Sequence, residues 1–465
     1  MLRLINLAYT KLGMDLQEPT DHNAQLPTSG WRRVVSAPSL PEVFRTISIP
    51  IGASFWKRML AFIGPGYLIA VGYMDPGNWA TDIGGGAAYS YRLLSVVLIS
   101  SLMAVFLQAL SAKLGIVTGR DLAQACRDAY PRPVVIALWL SAEIAIIACD
   151  VAEVLGAAIA LNLLFRIPLV LGVALTTADV LLVLMLQSKG FRIIEAFVIA
   201  LIATMMVIFG VELFFAKPAM GPMMSGFIPD PAIIRDPTML YISLGILGAT
   251  VMPHNLYLHS AIVQTRRYSS SIKDLREAIR MVYLDSTLAL SLAFFVNAAI
   301  LILSAAAFFR TGHHDVAGIN EAYKLLTPLL GASLATPLFA VALLASGQNS
   351  TLTGTLAGQI ILEGFLQTKI KPWARRMISR GIAIVPAIGV IWFAGEKGIV
   401  SLLILSQVVL SAQLSFAVIP LIHFTSDKEK MGPFVNGLWT KTLGWTTAFV
   451  IAALNVYLIF TQLAH

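Results

Sequence analysis

Long apolar runs separated by short charged connections dominate this chain, and they leave few folds open to it. A helix needs about 20 predominantly apolar residues to cross a bilayer. Eleven such runs lie at about 58–88, 93–112, 134–164, 168–187, 193–215, 239–262, 279–308, 334–364, 377–394, 398–423 and 443–462. The eighth is the least uniform, because Gly347, Gln348, Asn349, Ser350 and Thr351 interrupt it. Charged residues make up 12% of the 465, against about 25% in soluble domains, and the mean hydropathy is +0.78. A soluble multidomain enzyme is excluded. The expected fold is an all-α polytopic membrane protein with eleven transmembrane helices.

A formal net charge of +8 invites a nucleic-acid reading, but Lys and Arg crowd the connections and hardly enter the runs. Of the 33, 26 fall in the N-terminal tail, the entry to the first run and the even-numbered connections. The positive-inside rule makes that side cytoplasmic. The chain is therefore expected to lie multi-pass in the cell membrane, with its N-terminus inside and its C-terminus outside. Its divisions are a tail over 1–57, helices 1–5 over 58–215, helices 6–10 over 239–423 and helix 11 over 443–462. Two cysteines, Cys126 and Cys149, support neither a disulfide framework nor a cysteine metal site. Met1 to about Pro50 lacks the apolar core of a cleavable signal peptide. No nucleic-acid or obligatory protein partner is expected, only the bilayer.

Two runs carry a matched interruption. The first contains Gly72-Tyr73-Met74-Asp75-Pro76-Gly77-Asn78 and the sixth Ala249-Thr250-Val251-Met252-Pro253-His254-Asn255. Proline removes a backbone donor and clashes with the preceding turn, so both helices should unwind there. Unwound backbone at membrane depth is tolerated only inside protein or beside a cavity. A matched pair in spans 1 and 6 points to a transporter of two inverted five-helix repeats with its site at the breaks. A packing kink is the alternative, but a kink needs no carboxylate. Asp75 near the bilayer centre costs roughly 2.5–3.5 kcal/mol on insertion scales.

The donors at the breaks suggest a metal. Asp75 offers an anionic oxygen, Asn78 a neutral one, Ala249 a free backbone carbonyl and Met252 a thioether. Oxygen alone suits Mg²⁺ or Ca²⁺, whereas added sulfur favours Mn²⁺, Fe²⁺ and Cd²⁺. Met252 as ordinary core filler is the bland reading. A second constellation lies on span 3, where Glu143, Asp150 and Glu153 share one helical face. His254 and His259 occupy the cytoplasmic half of span 6, and Arg380 enters span 9. Ionisable groups strung through membrane depth read as a proton relay. The alternative is a set of buried ion pairs, such as Asp150 with Arg380, that only fixes packing.

Asp75-Pro76-Gly77-Asn78 and Met252-Pro253-His254-Asn255 resemble the paired signatures of the natural resistance-associated macrophage protein (Nramp) family of proton-coupled divalent metal transporters. The resemblance runs from about residue 58 to the end and leaves the tail outside. It implies a leucine-transporter-like fold and a metal held by Asp75, Asn78, Ala249 and Met252, with Gln407 of span 10 as a further ligand. It also implies a proton pathway through Asp75, the acids of span 3, His254 and an arginine of span 9. The expected activity is import of Mn²⁺, with Fe²⁺ and Cd²⁺, by symport with H⁺. The metal is cargo, and neither a cofactor nor an enzymatic activity is expected. A passive channel, or a same-fold carrier of an organic solute, is the rival reading. A metalloenzyme is disfavoured, because His254 and His259 stand five apart with no acid between them. Gln348-Asn349-Ser350, Asn455, His313-His314-Asp315 and Gly84-Gly85-Gly86 are read as packing or solvated features.

Overall fold

The computed structural model describes residues 30–33, 38–40, 44–50, 53–178, 185, 190–314, 318–330, 335–368 and 370–463. It is helical apart from a two-residue strand, β1 (Ile47–Ser48), paired in parallel with β2 (Arg266–Arg267). The principal helices are α1 (Phe55–Phe62), α2 (Pro65–Gly72), α3 (Pro76–Tyr89), α4 (Leu94–Thr118), α5 (Leu122–Ala129), α6 (Arg132–Phe165), α7 (Leu169–Leu175) and α8 (Phe191–Ala216). They continue as α9 (Pro237–Thr250), α10 (Pro253–Ile262), α11 (Ile272–Ala307), α12 (Ile319–Leu330), α13 (Ala335–Leu366), α14 (Pro372–Phe393), α15 (Gly395–Thr425) and α16 (Leu438–Leu463). Among the described residues, eight helical stretches are long and apolar enough to cross a membrane. Part of the fourth run, 179–184 and 186–187, lies outside the described residues.

Both expected breaks are present, and the local reason is the same. Asp75 is the N-cap of α3 and Pro76 its first residue, so the missing proline N–H falls where no helical bond is due. Met252 and Pro253 take the corresponding places at the start of α10. The first run is broken once more at Ile63–Gly64, where Gly64 adopts φ +140° against the Glu195 carboxyl. A side chain there would be strained and would collide with that acid. By contrast α13 runs unbroken through Gly347–Thr351, because the polar groups face protein. The Ser346 hydroxyl donates to the Met74 carbonyl at 2.5 Å, and the Ser350 hydroxyl to Glu153 at 2.7 Å.

The broken helices sit at the centre. α2 and α3 pack on α11, while α9 packs on α15 and α3. α6 lies against α13, α14 and α15. Trp79 of α3 is fully buried, its ring 5.1 Å from Phe209 of α8 and 5.0 Å from Phe339 of α13. Such edge-to-face contacts add about 0.5–1.5 kcal/mol each. Around the Gly64 elbow, a buried polar set holds the start of α2. Asp285 of α11 accepts from the Gly64 and Gly66 amides at 3.3 and 2.7 Å. Arg266 donates to the Phe62 and Ile63 carbonyls at 3.0 and 2.7 Å and to Glu195 at 2.6 Å. The tail lies beside this set, with β1 on β2 and the Arg45 amide donating to the Gln264 carbonyl at 3.0 Å.

Candidate metal site

Asp75, at the N-cap of α3, has one oxygen committed and one free. Oδ1 accepts from the Asn78 amide at 2.8 Å and from Asn78 Nδ2 at 2.7 Å, whereas Oδ2 has no hydrogen-bond partner. Asn78 Nδ2 also donates to the Ala249 carbonyl at the end of α9, at 3.1 Å. Asp75 Oδ1 and the Ala249 oxygen therefore converge on one donor, and that donor bridges the two broken helices. Asn297 of α11 steadies the arrangement, donating to Asn78 Oδ1 at 3.2 Å and to the Tyr73 carbonyl at 2.8 Å. Gln407 of α15 packs on Gly77, and its Oε1 also lacks a partner. Buried oxygens without partners are uncommon, because each forfeits its hydration. Here Asp75 Oδ2 and Gln407 Oε1 are two of them, and the Gln407 amide lies against Gly77, two residues on from Asp75.

Met252 is fully buried and packs with Ala145, Cys149 and Leu410. Beside this cluster, Cys149 links His254 to Glu153, with Sγ 3.9 Å from His254 Nε2 and 3.6 Å from Glu153 Oε1. The acids of α6 are paired with arginines of α14. Arg376 binds both Asp150 and Glu153, the latter at 2.6 Å. Arg380 lies 3.6 Å from Glu153 and donates to Thr351 at 2.8 Å, while Arg375 reaches Glu143 at 3.0 Å. Among the described residues, no three His, Cys, Asp or Glu groups gather as a metal cage. One carboxylate and neutral oxygens are ligand types that divalent cations take, and Met252, three residues beyond Ala249 in the same break, is the softer donor of the pair of breaks.

The site is closed to solvent: Asp75 is 0% and Asn78 1% exposed. A cavity of about 460 Å³ enters from the other end of α3, lined by Gly84, Ala88, Ile242, Glu321, Lys397 and Ile404. Beneath it Thr81 meets Gly245 and Gln407 meets Gly77, sealing α3, α9 and α15 together.

The family model for natural resistance-associated macrophage protein-like proteins matches residues 66–461. The chain belongs to the Nramp family. A divalent metal cation transporter MntH of Listeria innocua is 59% identical over 96% of this chain and 99% of its own length. One from Nostoc sp. is 58% identical over 92% and 96%. A manganese transporter of Eremococcus coleocola, solved as a mutant, is 42% identical with a TM-score of 0.85, covering 92% of both chains. The nucleobase-cation symporter Mhp1 (18% identity, TM-score 0.56) and MhsT bound to L-phenylalanine (14%, 0.56) share the fold alone. Like the MntH proteins and the manganese transporter, this Nramp chain is a transporter and not an enzyme.

Within this Nramp chain the predicted residues separate into groups. Asp75, Asn78 and Ala249 are hydrogen-bonded together, with Gln407 beside them. Glu153, Asp150 and His254 form a second group, and Glu143 a third contact nearer the surface. The ion pair instanced in the alternative reading, Asp150 with Arg380, is formed by Asp150 with Arg376 instead. Arg375 and Arg376 had counted as connection charges, but α14 begins at Pro372, about five residues before the predicted run. Its first turns carry them back onto α6. The i, i+4 spacing of Arg376 and Arg380 was the available signal. His259 does not join the α6 acids. Its ring nitrogens lie 3.0 Å from Gln108 Oε1 and 3.4 Å from the Ser286 hydroxyl, and Gln108 donates to the Tyr73 hydroxyl at 2.6 Å. Asn297 and Cys149 were missed because nothing near them in the sequence marks them. Asp82 of α3 and Glu212 of α8 were also missed, though both are buried with unpartnered oxygens. Asn455 donates to the Ser411 carbonyl at 3.1 Å, as a packing residue should. Gly85 and Gly86 meet α9 and α11 closely. His314 lines the cavity at the C-terminal end of α3, while Asp315 lies outside the described residues.

The Gln407 seam yields a prediction. A Cβ on Gly77 would stand 2.0 Å from Gln407 Nε2. The Gln407 amide is the flexible end of its side chain and can swing aside, so Gly77→Ala should leave stability nearly unchanged, displace Gln407 from the seam and slow Mn²⁺ uptake. A wild-type rate in reconstituted vesicles would show that Gln407 has no part in closing or filling the site.

Proposed function

We propose that this protein is a secondary active transporter that carries Mn²⁺, and also Fe²⁺ and Cd²⁺, into the cytoplasm by symport with H⁺. The observation that carries the reading is the convergence of Asp75 Oδ1 and the Ala249 carbonyl on one point between two interrupted helices, with Asp75 Oδ2 left free. A cation takes the place of the Asn78 amide donor once that amide turns its oxygen inward. Met252 and Gln407 then close on it. The names of the MntH relatives and the manganese transporter support the same cargo.

The eleven-span reading with inverted repeats places the N-terminus in the cytoplasm and the C-terminus outside. Spans 1, 2, 6 and 7 (α1–α4 and α9–α11) rock against the rest around the metal. Opening inward releases the contacts of Arg266 and Asp285 at the α1–α2 elbow, and opening outward parts the Thr81–Gly245 seam. Protons move between Asp75 and the Glu153–Asp150–Arg376 set by way of His254, because a cation on Asp75 competes with a proton there. His259 holds the Gln108–Tyr73 contact on the inner route.

The test is Mn²⁺ uptake and internal pH recorded together in proteoliposomes. An inward H⁺ gradient should accelerate uptake, and Mn²⁺ entry should acidify the lumen. Uptake that follows only the Mn²⁺ gradient, with no proton movement, would leave the channel reading. Ligand chemistry is tested separately. Met252→Ala leaves oxygens alone and admits water, so Mn²⁺ uptake persists, Cd²⁺ competes less well, and Ca²⁺ or Mg²⁺ begins to compete. An unchanged competition profile would return Met252 to the packing cluster with Ala145 and Leu410.

A further inference from the structure

One exposed face of α11 changes character within a single turn. Lys273, Arg276 and Arg280 are exposed and spaced three and four apart, so they form a stripe along the start of the helix. The stripe continues into Leu284, Leu288 and Phe295, which are 40%, 56% and 40% exposed. In a membrane protein, that switch from cations to exposed apolar side chains marks where acyl chains give way to headgroups. Lys273 to Arg280 spans about 10 Å of helix, comparable with the polar layer of one leaflet.

The cations are not neutralised by the protein. Glu277 is engaged by Arg58 at 2.7 Å, and Asp274 accepts the Ser271 hydroxyl at 2.9 Å. Arg280 lies over the Phe55 ring, 5.5 Å from its centroid. No acidic partner for Lys273 or Arg276 is present among the described residues. The same contacts dock α1 on this corner, and α1 presents Trp56 and Leu60, 74% and 69% exposed and four apart, to one side. A tryptophan beside lysines and arginines at this depth matches the membrane interface.

We propose that the α1–α11 corner binds the phosphate of an anionic phospholipid of the inner leaflet. Lys273, Arg276 and Arg280 hold the headgroup, and Trp56 and Leu60 lie against the acyl chains. The assignment rests on the membrane placement given above and not on the identity of the cargo. It has a consequence for transport, because α1 leads through the Gly64 elbow into α2 and thence to Asp75. A lipid pinned on α1 sets how readily the inner half of span 1 swings.

The full-length protein is compared in nanodiscs and vesicles of phosphatidylcholine, with and without phosphatidylglycerol. Wild type should retain phosphatidylglycerol in native mass spectrometry and should transport Mn²⁺ faster when that lipid is present. Lys273→Gln/Arg276→Gln/Arg280→Gln should bind it roughly a hundredfold more weakly, at about fivefold per cation. Its uptake rate should match wild type in phosphatidylcholine and should not rise with phosphatidylglycerol. Wild-type retention and stimulation in the triple variant would overturn the proposal. So would stimulation by inorganic phosphate in phosphatidylcholine vesicles, which would make the ligand a free anion. If the triple variant does not assemble, Arg276→Gln alone should lose affinity about fivefold, and undiminished affinity overturns the site. Failure of Mn²⁺ uptake in every vesicle, with lipid retention intact, would count against the transport reading and not against this one.

Discussion

Vesicles carrying Asp75→Asn are expected to take up Mn²⁺ at background rate while the protein stays folded. Asparagine serves as an N-cap about as well as aspartate, so the bond from the Asn78 amide at 2.8 Å and the start of α3 survive. What disappears is the only negative charge among Asp75, Asn78, Ala249, Met252 and Gln407. Desolvating an ion costs several kcal/mol even after the protein relaxes, and the remaining ligands are neutral dipoles. A loss above about 4 kcal/mol is about a thousandfold in affinity. Thermal unfolding should shift little, because no buried contact is removed. Near wild-type uptake by Asp75→Asn would put the metal somewhere else.

The second large effect belongs to Arg376. Its guanidinium and the Glu153 carboxyl are fully buried, and the Asp150 side chain is 1% exposed. Arg376→Gln strands two acids, and breaking a buried pair this way costs about 3–5 kcal/mol. Arg380 cannot take over from 3.6 Å while it also serves Thr351. The expected result is a clear fall in thermal stability together with loss of Mn²⁺-driven lumen acidification. Neutralising the whole set, Arg376→Met and Arg380→Gln with Asp150→Asn and Glu153→Gln, separates the two roles. Stability should return, because no buried charge is left unpaired, while proton movement should stay lost. If the neutral set transports with a wild-type pH profile, the network only fixes the packing of α6 on α14.

The local breaks were legible because their cause is local. Proline at 76 and 253 lacks an N–H whatever surrounds it, so the ends of α3 and α10 follow from a few residues. Helix positions are legible for a similar reason, since a run of about 20 apolar residues needs no partner to prefer a bilayer. Asp75 stood out because a carboxylate at that depth is costly in any fold. The same cost argument did not single out Asp82 or Glu212, since neither sits beside a break.

Which groups meet was decided by tertiary structure. Arg376 and Asp150 are 226 positions apart, and their pairing depends on the rotation of α14 about its axis and its sliding along α6. A rotation of one residue, about 100°, would present Arg375 or Met377 instead. His259 and His254 share one short helix, yet they serve different networks because α10 packs on α4 with one face and on α13 with another. Asn297 holds Asn78 from α11, across 219 positions. A sequence read along its length specifies periodicity, breaks and the cost of each charge. The rotations and offsets between distant helices come from the simultaneous packing of every face, so the partners of those charges appear only in the folded chain.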